Sequence, residues 1–115
     1  GWETQGVGSA FSLVFPDGRQ VEGRIRQNPG RHNVLNGAGV IALLDALGFD
    51  AAEAAGALAG FTGVRRRFDL VGEASGVTVV DDYAHHPTEI AATLEAAKSL
   101  PRLVFTSKAW SVRAT

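Results

Sequence analysis

The stretch Asp81 to Ile90 reads DDYAHHPTEI and places two carboxylates, a phenol, two imidazoles and a proline within seven residues. Carboxylates and imidazoles set side by side can accept, hold or pass protons near neutral pH, and both can ligate metals. A metal reading would use Asp82, His85 and His86. Adjacent histidines project apart, however, and no further ligand stands at a defined spacing, so these residues give no dedicated zinc site. A plainer reading makes the same stretch a polar helix cap, because Pro87 suits a first helical position and Thr88 and Glu89 suit a first turn.

Two other stretches carry chemistry. Gly30 to Asn36 reads GRHNVLN and follows the turn formers Asn28 and Pro29. His32 or Asn33 can cap a helix beginning near Asn33. Asn36 lies one turn further on the face of Asn33, and a carboxamide there can read the donor and acceptor edge of a purine. The run Arg65-Arg66-Arg67 before Phe68 either faces solvent or grips an anion, and a guanidinium fork matches the geometry of phosphate.

The elements that must position these residues are legible from periodicity. Ala10–Phe15 and Gln20–Arg26 flank Pro16-Asp17-Gly18 and predict a hairpin with one wet face. Apolar residues at helical spacing (Val34, Ala38, Ile41, Ala42) predict a helix over 34–47, with Asp45 as a polar exception and Gly48 where a C-terminal cap belongs. Asp50 with Glu53 predicts the start of an alanine-rich helix over 51–59, closed by Gly60. Composition shifts at Phe61–Arg67, so the expected domains are 1–62 and 63–115. After the shift the order is strand, a Ser75-Gly76 turn, strand, helix, strand, which suits the opening of a parallel α/β sheet. Val77–Val80 would be a buried strand delivering Asp81 and Asp82 at its carboxyl end, where open α/β sheets place ligands. Ile90, Leu94 and Ala97 would form the buried face of the helix that follows.

Composition narrows the function classes. The 115 residues carry 11 basic and 12 acidic groups for a net charge of -1, and 45% of them are hydrophobic. Such a balance draws the chain neither to nucleic acid nor to anionic lipid and favours a small, site-bound partner. The absence of cysteine removes disulfides, thiol catalysis and thiolate metal sites. Gly37–Phe49 is the longest apolar stretch, and interrupted by Asp45 it is too short for a membrane span. Gly1 begins the chain with no methionine, basic n-region or apolar h-region, so it reads as a piece of something longer.

Taken together, HNVLN, then GVRRRF, then DDYAHHPTEI after a Gly-Val strand resemble the Mur ligases over about Ser9 to Lys98. The likeness is strongest to the branch that adds L-alanine; the branch that recycles murein tripeptide more often carries phenylalanine at Tyr83 and alanine at Glu89. The resemblance implies an α/β chain. The end of a central ATPase domain (hairpin plus two helices) would be followed by the start of a Rossmann-like C-terminal domain. It implies a cytoplasmic, ATP- and Mg2+-dependent ligase of peptidoglycan synthesis, joining L-alanine to UDP-N-acetylmuramate through an acyl phosphate. His32, Asn33, Asn36, Arg67 and Asp82 would serve ATP, the first three at adenine, Arg67 at phosphate and Asp82 at ribose. Tyr83 and His85 would be catalytic and, with His86, would bind substrate, forming one wall of a cleft. No metal ligand is implied within these residues, and no Gly-rich loop ending in G-K-[ST] occurs. The resemblance ends at Thr106, so Lys108 and Arg113 inherit no role. The chain alone is expected to be inactive, and a non-catalytic nucleotide-binding module is the alternative from another class.

Overall fold

The computed structural model describes residues 1–5, 8–100, 103–107 and 111–113, the last two stretches by backbone alone; Lys108 lies outside them. The chain divides into two compact units, Gly1–Thr62 and Gly63–Thr115. Both mix helix with sheet.

In the first unit, β1 (Trp2–Gln5), β2 (Gly8–Val14) and β3 (Gln20–Ile25) form an antiparallel sheet in that order. The strand β1 is an element that the residue pattern did not reveal, since WETQ is short, polar and exposed. The β2–β3 turn closes as expected: the Gly18 N–H donates to the Phe15 carbonyl at 2.9 Å, and Gly18 takes φ 88°, which glycine adopts without a Cβ clash. Alternation buries Phe11 and Ile25 against the helices while Glu22 and Arg24 face water.

Helix α1 spans Arg31–Ala46 and α2 spans Ala51–Gly60. The start of α1 corrects the expectation. Its N-cap is Gly30, at φ 113° and without a side-chain cap, so His32 and Asn33 lie in the first turn and cap nothing. Its end is built as expected: Phe49 N–H reaches Leu44 O at 3.0 Å and Gly48 N–H reaches Asp45 O at 3.0 Å, a Schellman closure with Gly48 at φ 92°. Asp45, the polar break in the apolar stripe, is the partner of Arg19, whose two terminal nitrogens fork onto its carboxylate at 2.8 and 2.9 Å. That fork holds the Asp45 carboxyl below its ordinary pKa and ties the hairpin turn to α1. Asp50 caps α2 by accepting from Glu53 N–H at 2.8 Å. Gly60, expected to close this helix, is its last residue, and Phe61 caps it. The core is Phe11, Phe15, Ile25, Val34, Ile41 and the alanines 51, 54 and 55. Leu35, Val40, Leu43 and Leu47 occupy the outer side of α1, exposed.

In the second unit, β4 (Asp69–Ala74), β5 (Val77–Asp82), β6 (Leu103–Ser107) and β7 (Ser111–Arg113) line up in that order, with α3 (Pro87–Ala97) connecting β5 to β6. Only β5 and β6 are parallel, so the sheet is mixed where the sequence suggested a parallel one. The reason is local. Ser75 and Gly76 both take positive φ, 52° and 72°, and a two-residue turn of that kind returns the chain antiparallel. On α3 the buried positions are Thr93, Ala96 and Ala97, whereas Leu94 is exposed and Ile90 half-buried. Small side chains there let α3 approach Phe68 and Val80, which among the described side chains form a buried cluster with Ala96 and Ala97.

Two glycines test the packing of the first unit in opposite directions. A Cβ on Gly23 would run into the Phe11 ring, whereas one on Gly56 in α2 meets nothing within 4 Å. Gly23→Ala should destabilise the chain by about 1–3 kcal/mol through overpacking, and Gly56→Ala should stabilise it by about 0.5–1 kcal/mol. Urea denaturation followed by circular dichroism reads both; equal effects would contradict this packing.

Candidate functional site

Each group of sequence-predicted residues is assembled within its own unit. In the first, Gly30 turns the chain into α1, and the Asn33 Nδ2 donates to the Pro29 carbonyl at 3.3 Å and lies 3.0 Å from His32 Nε2. An amide nitrogen only donates, so His32 Nε2 accepts. Asn33 is half-buried and is held by these bonds, whereas Asn36 is exposed one turn further on. The pair thus presents one fixed and one accessible carboxamide near the helix start, where backbone N–H groups also point outward.

In the second unit Arg67, Tyr83, His85 and His86 lie on two loops joined by the buried carboxylate of Asp82. Asp82 is 5% exposed and accepts the Phe68 N–H at 2.8 Å on one oxygen and the Ala84 N–H at 2.6 Å on the other. It therefore fastens the arginine loop to the residues that follow β5. The Tyr83 N–H adds a second tie by donating to the Arg66 carbonyl at 2.8 Å. Arg67 itself is half-exposed, and its guanidinium stands 4.0 Å from the Glu89 carboxylate, a separation that leaves its planar fork accessible to an anion.

Beyond the clamp the side chains form a row. The Arg66 guanidinium lies 5.0 Å from the centroid of the Tyr83 ring, Tyr83 meets His85 edge-on at 5.1 Å, and the His85 and His86 rings are 4.5 Å apart. An exposed cation over an aromatic face contributes about 0.5–1 kcal/mol. His85 Nδ1 lies 3.0 Å from the Tyr83 carbonyl. A carbonyl oxygen only accepts, so Nδ1 carries the proton and the neutral ring keeps its lone pair on Nε2. Such a nitrogen can take a proton from an attacking amine.

Glu89 fixes the start of α3. Its carboxylate accepts from the His85 and His86 N–H groups, both at 3.4 Å, and stands 3.9 Å from His85 Nδ1. Pro87 occupies the first turn as expected. Sequence reasoning passed over Glu89 as a site component and read Arg66 only as one of three arginines that face solvent or grip an anion, with nothing to tie it to Tyr83. The signal for Glu89 was its spacing three residues after His86. Arg66 had none, because its φ of 61° and its placement over Tyr83 arise only on folding. Among the described residues no group of three His, Asp or Glu side chains could hold a metal ion, and no helix is long and apolar enough to cross a membrane.

Residues 66–110, which contain this clamp, match the family described as Mur ligase, glutamate ligase domain. This stretch carries the Mur ligase domain, and relatives and a solved structure from that family match most of the chain. Among named relatives it is 57% identical over 91 residues to the UDP-N-acetylmuramate--L-alanine ligase of Clavibacter sepedonicus, covering 79% of this chain and 19% of that one. To the ligase of the same name from Mycobacterium sp. (strain JLS) it is 46% identical over 100 residues, covering 87% and 21%. The crystal structure of UDP-N-acetylmuramate-alanine ligase from Thermotoga maritima superposes with a TM-score of 0.75 at 38% identity, over 84% of this chain and 23% of that one. The chain spans about a fifth of the length of these relatives.

The Glu89 carboxyl is held below its ordinary 4.5, first by the backbone N–H groups of His85 and His86 and then by the charges of their rings. A carboxylate with a depressed folded pKa supports the fold fully above its ordinary value, and that support is lost as pH falls through the lowered one. Carbon-detected NMR should therefore give Glu89 a midpoint below 4.5, with the His85 and His86 amide signals titrating in step. In Glu89→Gln those amide signals should stay still over the same range; unaltered titration would contradict the contact.

Proposed function

We propose that this chain supplies part of an ATP-dependent, cytoplasmic ligase of peptidoglycan synthesis that joins L-alanine to UDP-N-acetylmuramate. In this reaction ATP phosphorylates the muramate carboxyl, the alanine amine attacks the acyl phosphate, and phosphate leaves from the tetrahedral intermediate. The observation that carries the reading is the second unit's cluster: an accessible guanidinium, a phenol and an imidazole with its lone pair on Nε2, carried on two loops that one buried carboxylate joins within the matched residues. Transfer of this kind needs charge neutralisation and positioning more than covalent participation by the protein.

On this reading Arg67 neutralises charge on the transferred phosphate, and Tyr83, His85 and His86 face the sugar nucleotide and the incoming amine. His85 is suited to receive the amine proton at Nε2. His32, Asn33 and Asn36 serve the adenine, with Asn36 the accessible member. A ribose contact by Asp82 has to use the lone pairs that Phe68 and Ala84 leave, so we assign that residue first to holding the loop and second to the sugar. Magnesium has no three-ligand site among the described residues, and on this reading its ligands belong to the rest of the ligase.

A chimera tests the reading. The matching segment of the Clavibacter sepedonicus ligase is replaced with this one, and alanine-dependent phosphate release is assayed with ATP, magnesium and UDP-N-acetylmuramate. The chimera should be active. In it, Arg67→Ala should lower turnover by about 10²–10³-fold, the scale for removing one preorganised charge-stabilising group, and Asn36→Ala should weaken ATP about fivefold, as one lost hydrogen bond implies. The 115-residue chain by itself, which encodes no G-K-[ST] loop, should release no phosphate above an enzyme-free control. An inactive, folded chimera that still binds ATP would favour a nucleotide-binding module instead.

A further inference from the structure

We infer that Arg66, rather than serving as one more solvated member of the arginine run, is the residue that sets the position of Tyr83 and through it His85. Four contacts converge on it. Its guanidinium lies 5.0 Å from the Tyr83 ring centroid, and its Nε is 3.5 Å from the Asp81 carboxylate. Its backbone N–H donates to Asp69 Oδ2 at 3.2 Å, and its carbonyl accepts the Tyr83 N–H at 2.8 Å. Tyr83 is thereby held at its backbone by the carbonyl and at its ring by the side chain of the same residue.

The backbone conformation strengthens the inference. Arg66 has φ 61°, a left-handed value that glycine takes freely and that costs any residue with a Cβ. Strain of this kind persists where the surroundings over-determine it, and it clusters at functional sites. A position whose backbone suits glycine but which holds arginine uses the side chain. Here the side chain has two tasks that need a flat cation: stacking on a ring and pairing with Asp81. The neighbours differ. All three arginines are exposed, but Arg67 points its charge toward Glu89 and Arg66 stands over the Tyr83 ring, so exposure alone does not tell them apart.

The consequence extends along the row. Tyr83 meets His85 edge-on, and His85 is tied at Nδ1 to the Tyr83 carbonyl. A Tyr83 freed from Arg66 shifts both the ring and the carbonyl that orient the imidazole. Arg66 is a positioning residue, since it acts through Tyr83 and His85. Its bearing on catalysis rests on the proposed role of those two residues toward the sugar nucleotide and the amine.

The test uses NMR on the 115-residue chain, in which Tyr83 is the single tyrosine, so its ring signals are unambiguous. In the wild type, nuclear Overhauser contacts should connect the Tyr83 ring to the Arg66 side chain. Arg66→Gly suits the backbone and should leave the melting temperature within about 4 °C, equivalent to about 1 kcal/mol or less for a chain of this size. It should nevertheless move both the Tyr83 and the His85 ring signals, whereas Arg65→Gly moves neither. Absence of the wild-type contacts, or an Arg66→Gly chain whose two ring signals stay in place, overturns the positioning claim. Adding UDP-N-acetylmuramate to the active ligase chimera separates this from the functional reading. Tyr83 signals that respond in the parent chimera and weaken in response with Arg66→Gly support both. Unresponsive signals in the parent overturn the substrate role of Tyr83, and the free-chain contacts still decide Arg66.

Discussion

The second unit depends on one buried carboxylate. Asp82 takes the Phe68 N–H on one oxygen and the Ala84 N–H on the other, and these bonds join two loops that lie fourteen residues apart. Hydrogen bonds to an ionised acceptor contribute about 1.5–3 kcal/mol each, and a buried charge left with a single partner would be costly. The bridge brings Arg66 and Arg67 within reach of Tyr83 and Glu89. It also seats Phe68 in the core beside Val80, although Phe68 itself has φ 50°. Strain on the arginine loop is thus held by a bond made from the other side of the sheet end.

From that bridge the rest of the site follows by short steps. Ala84 fixes the chain before the histidines, Glu89 gathers the His85 and His86 N–H groups, and Pro87 commits the following residues to α3. These backbone groups are satisfied locally, and the exposed Arg67 guanidinium and His85 ring stand beside Tyr83. The first unit is organised differently. There a salt-bridged fork from Arg19 to Asp45 and two left-handed glycines, Gly30 and Gly48, hold α1 at its ends, while Asn36 remains accessible one turn in.

Much of this was legible in the sequence, because the signals are local. Turn and cap residues such as Pro16-Asp17-Gly18, Gly48, Asp50 and Ser75-Gly76 state their own geometry, and DDYAHHPTEI joins a strand to a helix as read, although β5 runs on through Asp81 and Asp82 rather than ending at Val80. What escaped depended on partners far along the chain. Asp45 looked like a flaw in an apolar stripe until Arg19 was found opposite it. His32 and Asn33 looked like caps because capping preference favours them, yet Gly30 alone could take φ 113°. The mixed sheet escaped because strand order does not declare direction unless the tight turn between β4 and β5 is weighed. Arg66 escaped because three consecutive arginines are indistinguishable until the backbone turns one of them onto a ring.

The central claim, that Asp82 holds the site together through two backbone N–H groups, is tested most directly by amide hydrogen exchange in Asp82→Asn. Asparagine keeps the shape but offers one acceptor oxygen, and turns an NH2 toward the other donor. Protection at Phe68 and Ala84 should fall by about 10–100-fold, the loss expected for charged hydrogen bonds of 1.5–3 kcal/mol, and the Tyr83 amide should lose protection with them. Unchanged protection at all three amides in a folded chain would contradict the account.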